Sequence, residues 1–385
     1  MTLETNNNNL LLEIFDMLNC QNGDGWRPIL ELIFNKVMKL ERMISLDAGE
    51  YERTKERKGY ANGYKNKKFN TRLGTLNLEV PKARGISFYP NCIERGSRSE
   101  RALKLAVAEM YLKGVSTRRV EKITEQLCGL EISSSQVSEM AKELDEEFKS
   151  FRERSLGEFC YIYLDATYLK VRHSGNVVDQ AVLIAVGVNT EGKREILGVS
   201  TSLSEAEVHW RTFLESLVRR GLRGVKLIIS DDHSGLGAAR KKVFGSVAYQ
   251  RCQFHMHQNA LKYAPKKSLQ EGITQAMREI FSCQSKEQAE EVKKKIVMEF
   301  KENAPEFTDW FESCIDEGLM CLNFPEKHRK RIRTTNGLER INREIKRRTR
   351  VAVLFPNGAS ALRLVTGILV EIHEDWATGK KYLDV

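Results

Sequence analysis

The sequence lacks the features of membrane and secreted proteins. No run of eighteen apolar residues occurs, and the apolar stretch nearest the start, Leu10 to Leu18, is interrupted by Glu13 and Asp16 and has no basic flank. We therefore expect neither a membrane-spanning helix nor a secretory signal. Cysteine is scattered, with eight in 385 residues and no C-x-x-C pair, which predicts reduced thiols in a cytoplasmic protein rather than a disulfide framework.

Basic charge is what the chain has in excess. Apolar residues make up 41% and charged residues 30%, and the formal net charge is +10. These values are typical of a soluble globular protein of two or three domains with a polyanionic partner. Residues 53–84 hold ten Lys or Arg against two Glu, and residues 326–350 hold eleven against three. Either run alone could be a solvated face, but two runs, one interleaved with Tyr60, Tyr64 and Phe69, favour contact with a phosphate backbone.

A run of aromatic, aliphatic and β-branched residues, Cys160 to Val171, lies near the middle of the chain and predicts a buried strand. Asp165 is in the middle of this run. A buried carboxylate is costly unless a cation or a metal ion offsets its charge or the residue lines an open site. The alternative is a side chain that points to water.

The pattern that follows is rich in strands. The predicted elements are three strands, a helix, a short buried strand that ends before Asp231, a helix and a last strand, at residues 160–172, 177–189, 194–202, 205–220, 225–230, 236–244 and 247–252. This is the order of a ribonuclease-H-like mixed sheet. Sites in open sheets lie beyond the carboxyl ends of the parallel strands, so we expect Asp165 and Asp231 to lie close together.

Helical patterns precede the sheet. Two short helices on either side of Gly129 are typical of a helix-turn-helix, and Ser133 and Gln136 have the spacing of a capping box at the start of the second helix. That helix would present Ser134, Ser135 and Gln136 to base edges. The alternative is an ordinary helical bundle, because the second helix is not itself basic.

A last predicted helix spans residues 334–349. Leu338, Ile341 and Ile345 form its apolar stripe, and Glu339 lies on the polar side. The domain organisation predicted from these changes of pattern is an N-terminal helical segment, a basic DNA-binding or linker region, a helix-turn-helix domain, the first part of an α/β core, an all-α insertion and the C-terminal helices of the core. Their boundaries are 1–50, 51–99, 100–155, 156–255, 256–333 and 334–385.

Three carboxylates on separate elements, Asp165, Asp231 and Glu339, suggest a site for hard divalent cations. Mg²⁺ takes oxygen ligands, and two such ions can activate a nucleophile and stabilise the leaving oxygen in phosphoryl transfer. That chemistry needs acidic ligands inside a positive surface that holds nucleic acid. Spacing alone is a weak signal, since the chain has 52 acidic residues.

The blocks around these carboxylates are L-D-A-T-Y-L-K-V-R, D-D-H-S-G-L, R-C-Q-F-H and T-T-N-G-L-E-R-I-N-R-E-I-K-R. Two linking segments read A-V-G-V-N-T-E-G-K-R-E-I-L-G and F-P-N-G-A-S-A-L-R-L. In content and in order they resemble the signature blocks of the Mutator-type transposases of bacterial insertion sequences. The resemblance runs from the helix-turn-helix region to near Trp376.

This resemblance implies a DDE transposase, with a ribonuclease-H-like catalytic core and a helical insertion between the second Asp and the Glu. Asp165, Asp231 and Glu339 would be the catalytic residues and would hold Mg²⁺, for which Mn²⁺ can substitute. Such relatives usually have Gly or Ala where this chain has Asp232. The register of the block nevertheless favours Asp231 as the second ligand.

The family's C-x-x-H motif falls on Cys252 and His255, which would lie near the scissile phosphate. Zinc bound by Cys252, His255 and His257 is the rival interpretation, but no second pair has zinc-finger spacing. The residues predicted to bind DNA or to assist are Cys252, His255, Asn336, Arg340, Arg343, Lys346 and Arg347, together with Ser134, Ser135 and Gln136 in the helix-turn-helix region.

The resemblance also implies a reaction and its partners. The protein would bind the terminal inverted repeats of its element, cleave a DNA strand and join the freed 3′-hydroxyl to target DNA. It would act as a homodimer in the bacterial cytoplasm, on the nucleoid when bound to DNA. One alternative is a non-catalytic repressor or inactive element protein that binds DNA ends. Another is a structure-directed nuclease, which would not need a reader of terminal repeats.

Overall fold

The computed structural model describes residues 12–18, 26–350 and 354–384. The chain divides into two compact units, Met1–Leu144 and Asp145–Val385. The Asn-rich start lies outside the described residues. All cysteines that the structure describes are free, and none of the helices in the described ranges is long and apolar enough to cross a membrane.

A helix packed on a β-hairpin forms one part of the N-terminal unit. The elements are α1 (residues 12–18), α2 (Trp26–Leu46), β1 (Tyr60–Thr71) and β2 (Gly74–Arg84). Met38 of α2 is buried together with Leu76, Leu78 and Val80 of β2, so the helix packs on alternate residues of the strand. The first basic run provides β1, most of whose side chains are exposed.

Three short helices form the other part of this unit, namely α3 (Arg101–Leu112), α4 (Thr117–Cys128) and α5 (Ser134–Ala141). The helix α4 ends at Gly129, whose φ of 63° is in the left-handed region that favours glycine. The predicted capping box at Ser133 and Gln136 is present at the start of α5. The local sequence therefore sets both ends of the turn between α4 and α5.

The larger unit is built on a five-stranded mixed sheet. Its strands are β3 (Phe159–His173), β4 (Asn176–Asn189), β5 (Arg194–Ser202), β6 (Leu227–Ser230) and β7 (Ala248–Arg251). The spatial order is β5-β4-β3-β6-β7, in which β4 is antiparallel to both β3 and β5, while β3, β6 and β7 are parallel. The predicted α/β class and the predicted succession of strands are confirmed.

Helices pack on this sheet and connect its strands. They are α6 (Asp145–Glu153), α7 (Glu207–Arg219), α8 (Ser234–Val243), α9 (Gln253–Ala260), α14 (Asn336–Thr349) and α15 (Gly358–Thr378). Trp210 of α7 is fully buried in the cluster that also contains Ile162 of β3 and Ile228 of β6. The predicted stripe of α14, Leu338, Ile341 and Ile345, is buried as well.

The segment from α9 to α13 is helical and has its own core. After α9, its helices are α10 (Lys267–Ser282), α11 (Lys286–Phe300), α12 (Pro305–Gly318) and α13 (Glu326–Ile332). Phe307 and Phe311 are fully buried within that core. We call this segment the helical lobe. Its two ends meet, because the Gln253 N–H donates a hydrogen bond to the carbonyl of Arg333 at 3.0 Å.

A buried glutamine ties the helical lobe to the sheet. Gln250 of β7 has no exposed surface. Its Nε2 donates to the carbonyl of Gly318 at 2.7 Å, and its Oε1 accepts from the Cys321 N–H at 2.6 Å. A buried amide that loses its partner carries the full desolvation penalty, so the junction depends on this side chain.

We expect Gln250→Leu to lower the free energy of unfolding by about 1–3 kcal/mol, because it leaves the Cys321 N–H without an acceptor at similar side-chain volume. Urea denaturation followed by circular dichroism measures the change. Gln270→Leu, at an exposed position of α10, is the matched control and should be close to neutral. Equal stability of both variants would contradict the role given to Gln250.

Candidate active site

Asp165 lies in the middle of β3, a strand paired with β4 on one side and β6 on the other. Its Oδ1 accepts a hydrogen bond from the Ala166 N–H at 2.8 Å, and its Oδ2 accepts one from Asn342 Nδ2 at 2.7 Å. Asn342 is on α14. The side chain of Asp165 is therefore fixed by its own strand and by a helix distant in sequence.

Asp231 directly follows β6. Because Leu164 is paired with Ser230 in the parallel β3–β6 ladder, the two aspartates leave neighbouring strands at the same level. Burial, and then the charge of Asp231, raise the pKa of Asp165 to about 7. The two carboxylates that the sequence predicts to be close are close enough to repel each other.

His255 lies between the second and third carboxylates. It is on α9, immediately after β7; its Nδ1 contacts Asp231 Oδ1, and its Nε2 is 3.7 Å from Glu339 Oε1. The hydrogen bond with Asp231, and next the one with Cys252, raise the pKa of His255 to about 10. The raised pKa favours the protonated form of His255, whose ring nitrogens lie against Asp231 and Glu339.

The site is open to solvent on one side. The side chains of Asp231 and Glu339 keep 34% and 30% of their surface exposed, and that of His255 keeps 28%. Carboxylates buried at one end and open at the other can bind an ion or a substrate without unfolding of the surrounding structure. Glu339 is on the first turn of α14, and the buried stripe of that helix directs it to this position.

Cys252 forms the floor beside His255. It is fully buried, and its Sγ accepts hydrogen bonds from the Thr335 N–H and hydroxyl at 3.4 and 3.3 Å. Possible ligand atoms of Asp231, Cys252 and His255 lie within 4.8 Å of one another. His257 is not in this group, so the Cys252–His255–His257 trio of the zinc interpretation is not assembled among the residues that the structure describes.

Asp232 points to a different partner. Its Oδ2 pairs with Arg251 Nη2 at 2.6 Å, and the Arg251 side chain is only 7% exposed. Asp231 is the carboxylate that contacts His255 and affects Asp165. Of the two adjacent aspartates, Asp231 therefore lies with the other two predicted ligands, while Asp232 forms an ion pair.

The remaining predicted residues lie at three places. Asn336 and Arg340 are exposed on the first turns of α14, and Arg343 and Lys346 are exposed further along it. Arg347 donates two hydrogen bonds to Glu344, so its charge is already partnered. The last three, Ser134, Ser135 and Gln136, are exposed on α5 of the N-terminal unit, where Gln136 is engaged in the capping box.

Two residues of the site were not predicted. Asn342 holds Asp165, and its position three residues after Glu339 on one helix was a usable signal. Glu205 lies in the loop before α7, and its charge also raises the pKa of Asp165. Nothing in the local sequence of Glu205 indicates this, because the contact depends on the path of the chain around the sheet.

In its chemistry, the donor set suits a hard divalent cation, because Asp165, Asp231 and Glu339 offer carboxylate oxygens, the ligands that Mg²⁺ prefers. Among the described residues, however, the group whose ligand atoms lie within 4.8 Å of one another is Asp231, Cys252 and His255, not the three carboxylates. The mutual repulsion that raises the pKa of Asp165 is the interaction that a bound cation would relieve. The fold and the site together define a mixed α/β protein with an acidic cluster at the carboxyl end of its central parallel strands.

Comparison with known proteins identifies the family. The sequence model of the family described as "Transposase, Mutator family" matches residues 1–379. The chain is 50% identical to the transposase for insertion sequence element IS406 of Burkholderia multivorans, over 94% of this chain and 95% of that protein. It is 42% identical to the transposase for ISRM5 of Rhizobium meliloti, over 94% and 92%, and 38% identical to the transposase for IS256 in transposon Tn4001 of Staphylococcus aureus, over 94% and 93%. The chain belongs to the Mutator family of transposases, as its sequence blocks predict.

Burial of the Asp165 carboxylate, together with the nearby charge of Asp231, has a measurable effect on stability. Because the folded-state pKa of Asp165 is about 7 and its ordinary value is 3.8, the native state binds the proton more tightly than the unfolded state. The contribution of Asp165 to stability is therefore present below about pH 4 and is lost as the pH rises through 7.

In EDTA at pH 8, we expect Asp165→Asn to raise the free energy of unfolding by about 2–4 kcal/mol, at roughly 1.4 kcal/mol for each pKa unit relieved. Thermal denaturation at pH 4 and pH 8 measures the effect, and the gain should vanish at pH 4. Mg²⁺ should raise the melting temperature of the unchanged protein more than that of the variant. A variant less stable than the parent at pH 8 would contradict the repulsion.

Proposed function

We propose that the protein is a DDE transposase that cleaves a DNA strand at the end of its insertion sequence and joins the freed 3′-hydroxyl to target DNA. The observation that carries this proposal is the meeting of three elements around His255. Asp231, after β6, contacts its Nδ1, and Glu339 of α14 lies 3.7 Å from its Nε2. Asp165 of β3 is close enough to Asp231 for the charge of Asp231 to raise its pKa. Membership of a transposase family supports the reaction class.

The topology supports a ribonuclease-H-like core. Three antiparallel strands are followed by two parallel ones, in the spatial order β5-β4-β3-β6-β7. The first carboxylate is on the central strand β3, the second follows β6, and the third is on α14 after the helical lobe. This is the arrangement that the sequence blocks imply for a DDE transposase with a helical insertion.

Asp165, Asp231 and Glu339 would hold the metal. When bound, Mg²⁺ activates the attacking oxygen and stabilises the charge on the leaving oxygen of an in-line displacement. Asn342 keeps one oxygen of Asp165 in place through its 2.7 Å hydrogen bond. Protonated His255 orients Asp231 and adds positive charge where the phosphodiester would approach.

The same displacement serves both steps. In the first, water attacks the phosphorus and the 3′-oxygen leaves. In the second, the freed 3′-hydroxyl attacks a phosphodiester of the target, and the 3′-oxygen of the target strand leaves. No covalent bond between protein and DNA is needed. Two element ends must be held together for this reaction, so the active form would be at least a homodimer.

Binding of the terminal inverted repeats is assigned to the N-terminal unit. Lys65 and Lys68 are exposed on β1, and lysines of this kind fix a protein on the phosphate backbone without reading sequence. Ser134 and Ser135 are exposed at the start of α5, the helix that would enter the major groove in a helix-turn-helix. The lysines of β1 would supply affinity for DNA, and the serines of α5 would supply sequence specificity.

The catalytic assignment is tested with a labelled duplex that carries the element's own end, in Mg²⁺ or in EDTA. We expect Mg²⁺-dependent nicking at the junction, and a loss of at least about a hundredfold in Glu339→Gln and in Asp231→Asn, because each removes a charged metal ligand. Asp232→Asn is the matched control and should keep most of the activity.

The outcomes separate the alternatives. Loss of DNA binding in Glu339→Gln would mean a structural role for this residue. Binding without nicking by the unchanged protein, on a correct end, would favour the non-catalytic repressor. Full activity in Asp231→Asn together with inactivity in Asp232→Asn would reverse the assignment of the second ligand.

The division of labour in the N-terminal unit gives a further expectation. Ser134→Ala and Ser135→Ala should reduce discrimination between the element end and a scrambled duplex by about five- to tenfold each, at roughly 1 kcal/mol per lost base contact. Lys65→Gln should instead weaken binding to both duplexes alike and reduce the salt slope by about 1. Fluorescence anisotropy at several salt concentrations measures both. Equal effects of the serine variants on the two duplexes would rule out base reading by α5.

A further inference from the structure

A small basic pocket lies beside the first turn of α14. Its volume is about 260 Å³. The charged residues that line it come from two segments distant in sequence, and they are Arg194 of β5 and, within residues 330–340, Lys330, Arg331, Arg333 and Arg340. We call it the arginine pocket. It is separate from the carboxylate cluster, none of whose members lines it.

The arginine pocket has five cations and no acidic residue in its lining. Among the described residues, none of the five forms an ion pair, whereas nearby Arg348 and Arg347 on α14 both pair with Glu344. Like charges gathered in one cavity repel each other, and an anion in the cavity removes that repulsion. The charge pattern indicates a site for an anionic ligand.

Aromatic rings hold one of these cations in place. The Arg194 guanidinium lies 4.0 Å from the ring centroid of Trp376 and 4.4 Å from that of Tyr382, and Arg331 lies 4.9 Å from the Tyr382 ring. Burial lowers the pKa of Arg194, and the charges of Arg331 and Arg340 lower it further. A partly buried guanidinium held against two rings loses little further rotamer freedom when it binds a ligand.

The segment that contains Tyr382 is anchored by its backbone. The Tyr382 N–H donates to the carbonyl of Gly192 at 2.8 Å, and the carbonyl of Asp384 is 2.6 Å from His328 Nε2. Gly192 is required for this contact, because a Cβ at that position would lie 1.8 Å from the carbonyl oxygen of Leu383. These backbone contacts therefore hold the Tyr382 side of the pocket in a fixed position.

The start of α14 adds backbone donors. Thr335, at the N-cap, makes no capping hydrogen bond with its side chain. The N–H groups of Asn336 and Gly337, both of which line the pocket, donate to no acceptor in the part of the chain that the structure describes. Unpaired N–H groups and the positive end of the helix dipole favour a phosphate group.

We propose that the arginine pocket binds a backbone phosphate of the DNA strand, at a subsite distinct from the metal-binding carboxylates. This inference rests on the proposed function. Asn336 is three residues before Glu339, about 4.5 Å along the helix axis. A phosphate held there would therefore lie close to the scissile bond and would fix the register of the strand.

The first test measures DNA binding in EDTA, where no metal-dependent cleavage occurs. Its result therefore does not depend on whether the protein is catalytically active. A labelled duplex with the element's end is titrated by anisotropy between about 50 and 200 mM salt. We expect Arg331→Gln/Arg340→Gln to weaken binding by about tenfold and to reduce the salt slope by about 1. Lys294→Gln, at an exposed position of α11 outside both basic runs and outside the pocket, is the control and should leave the slope unchanged.

The second test locates the phosphate. Methylphosphonate linkages, which are neutral, are placed one at a time near the scissile bond. The unchanged protein should lose affinity at one or two adjacent positions, and the double variant should show no further loss there. Additive losses at every position would overturn the proposal, since the pocket and the phosphate would then be independent.

A third variant distinguishes loss of DNA binding from loss of folding. Gly337→Ala adds a methyl group in the pocket, 3.8 Å from Arg194 Nη1, and alanine favours the helix by up to about 1 kcal/mol. We expect an unchanged or higher melting temperature together with weaker DNA binding.

Titration with inorganic phosphate distinguishes the source of the ligand. A melting-temperature increase from phosphate that the double variant lacks, with no change in the DNA salt slope, would mean a site for free phosphate and would overturn the DNA assignment.

Discussion

The parallel pairing of β3 with β6 is the constraint on which the site depends. Once Leu164 is opposite Ser230, the next residue on each strand is an aspartate, and two negative charges are forced together at the edge of the core. The rest of the site can be understood as the response to that repulsion. Asn342 donates to one carboxylate, and His255 brings a positive charge to the other and reaches toward Glu339.

Elements with a strong apolar pattern could be predicted from the sequence. Strands β3 to β5 and the stripe of α14 were predicted nearly residue by residue, because their buried faces are continuous. The helix α9 was not, although it carries His255, since its eight residues are half polar and show no apolar stripe. Strand β1 could not be predicted from periodicity. Both of its faces are mostly exposed, so no alternation of apolar and polar residues marks it.

The site was predictable only where local sequence determines it. Asp231 follows a buried strand and Glu339 lies opposite an apolar stripe, and both positions can be inferred from periodicity. The choice of Asp231 over Asp232 depends on Arg251, which draws Asp232 into an ion pair. The arginine pocket joins β5, α13, α14 and the segment around Tyr382, and no pattern within any one of them indicates that they meet.

The helical lobe begins and ends at one point, where Gln253 is hydrogen-bonded to Arg333 and Cys252 to Thr335. In polymer terms it is a loop closed on itself, and the entropy of closing such a loop grows only with the logarithm of its length. Doubling its length would cost about 0.6 kcal/mol. The number of residues between the second and third carboxylates can therefore change at little cost in free energy. The distance between the two carboxylates in space cannot, because the site requires it. Selection on the lobe should act on its closing residues far more than on its size.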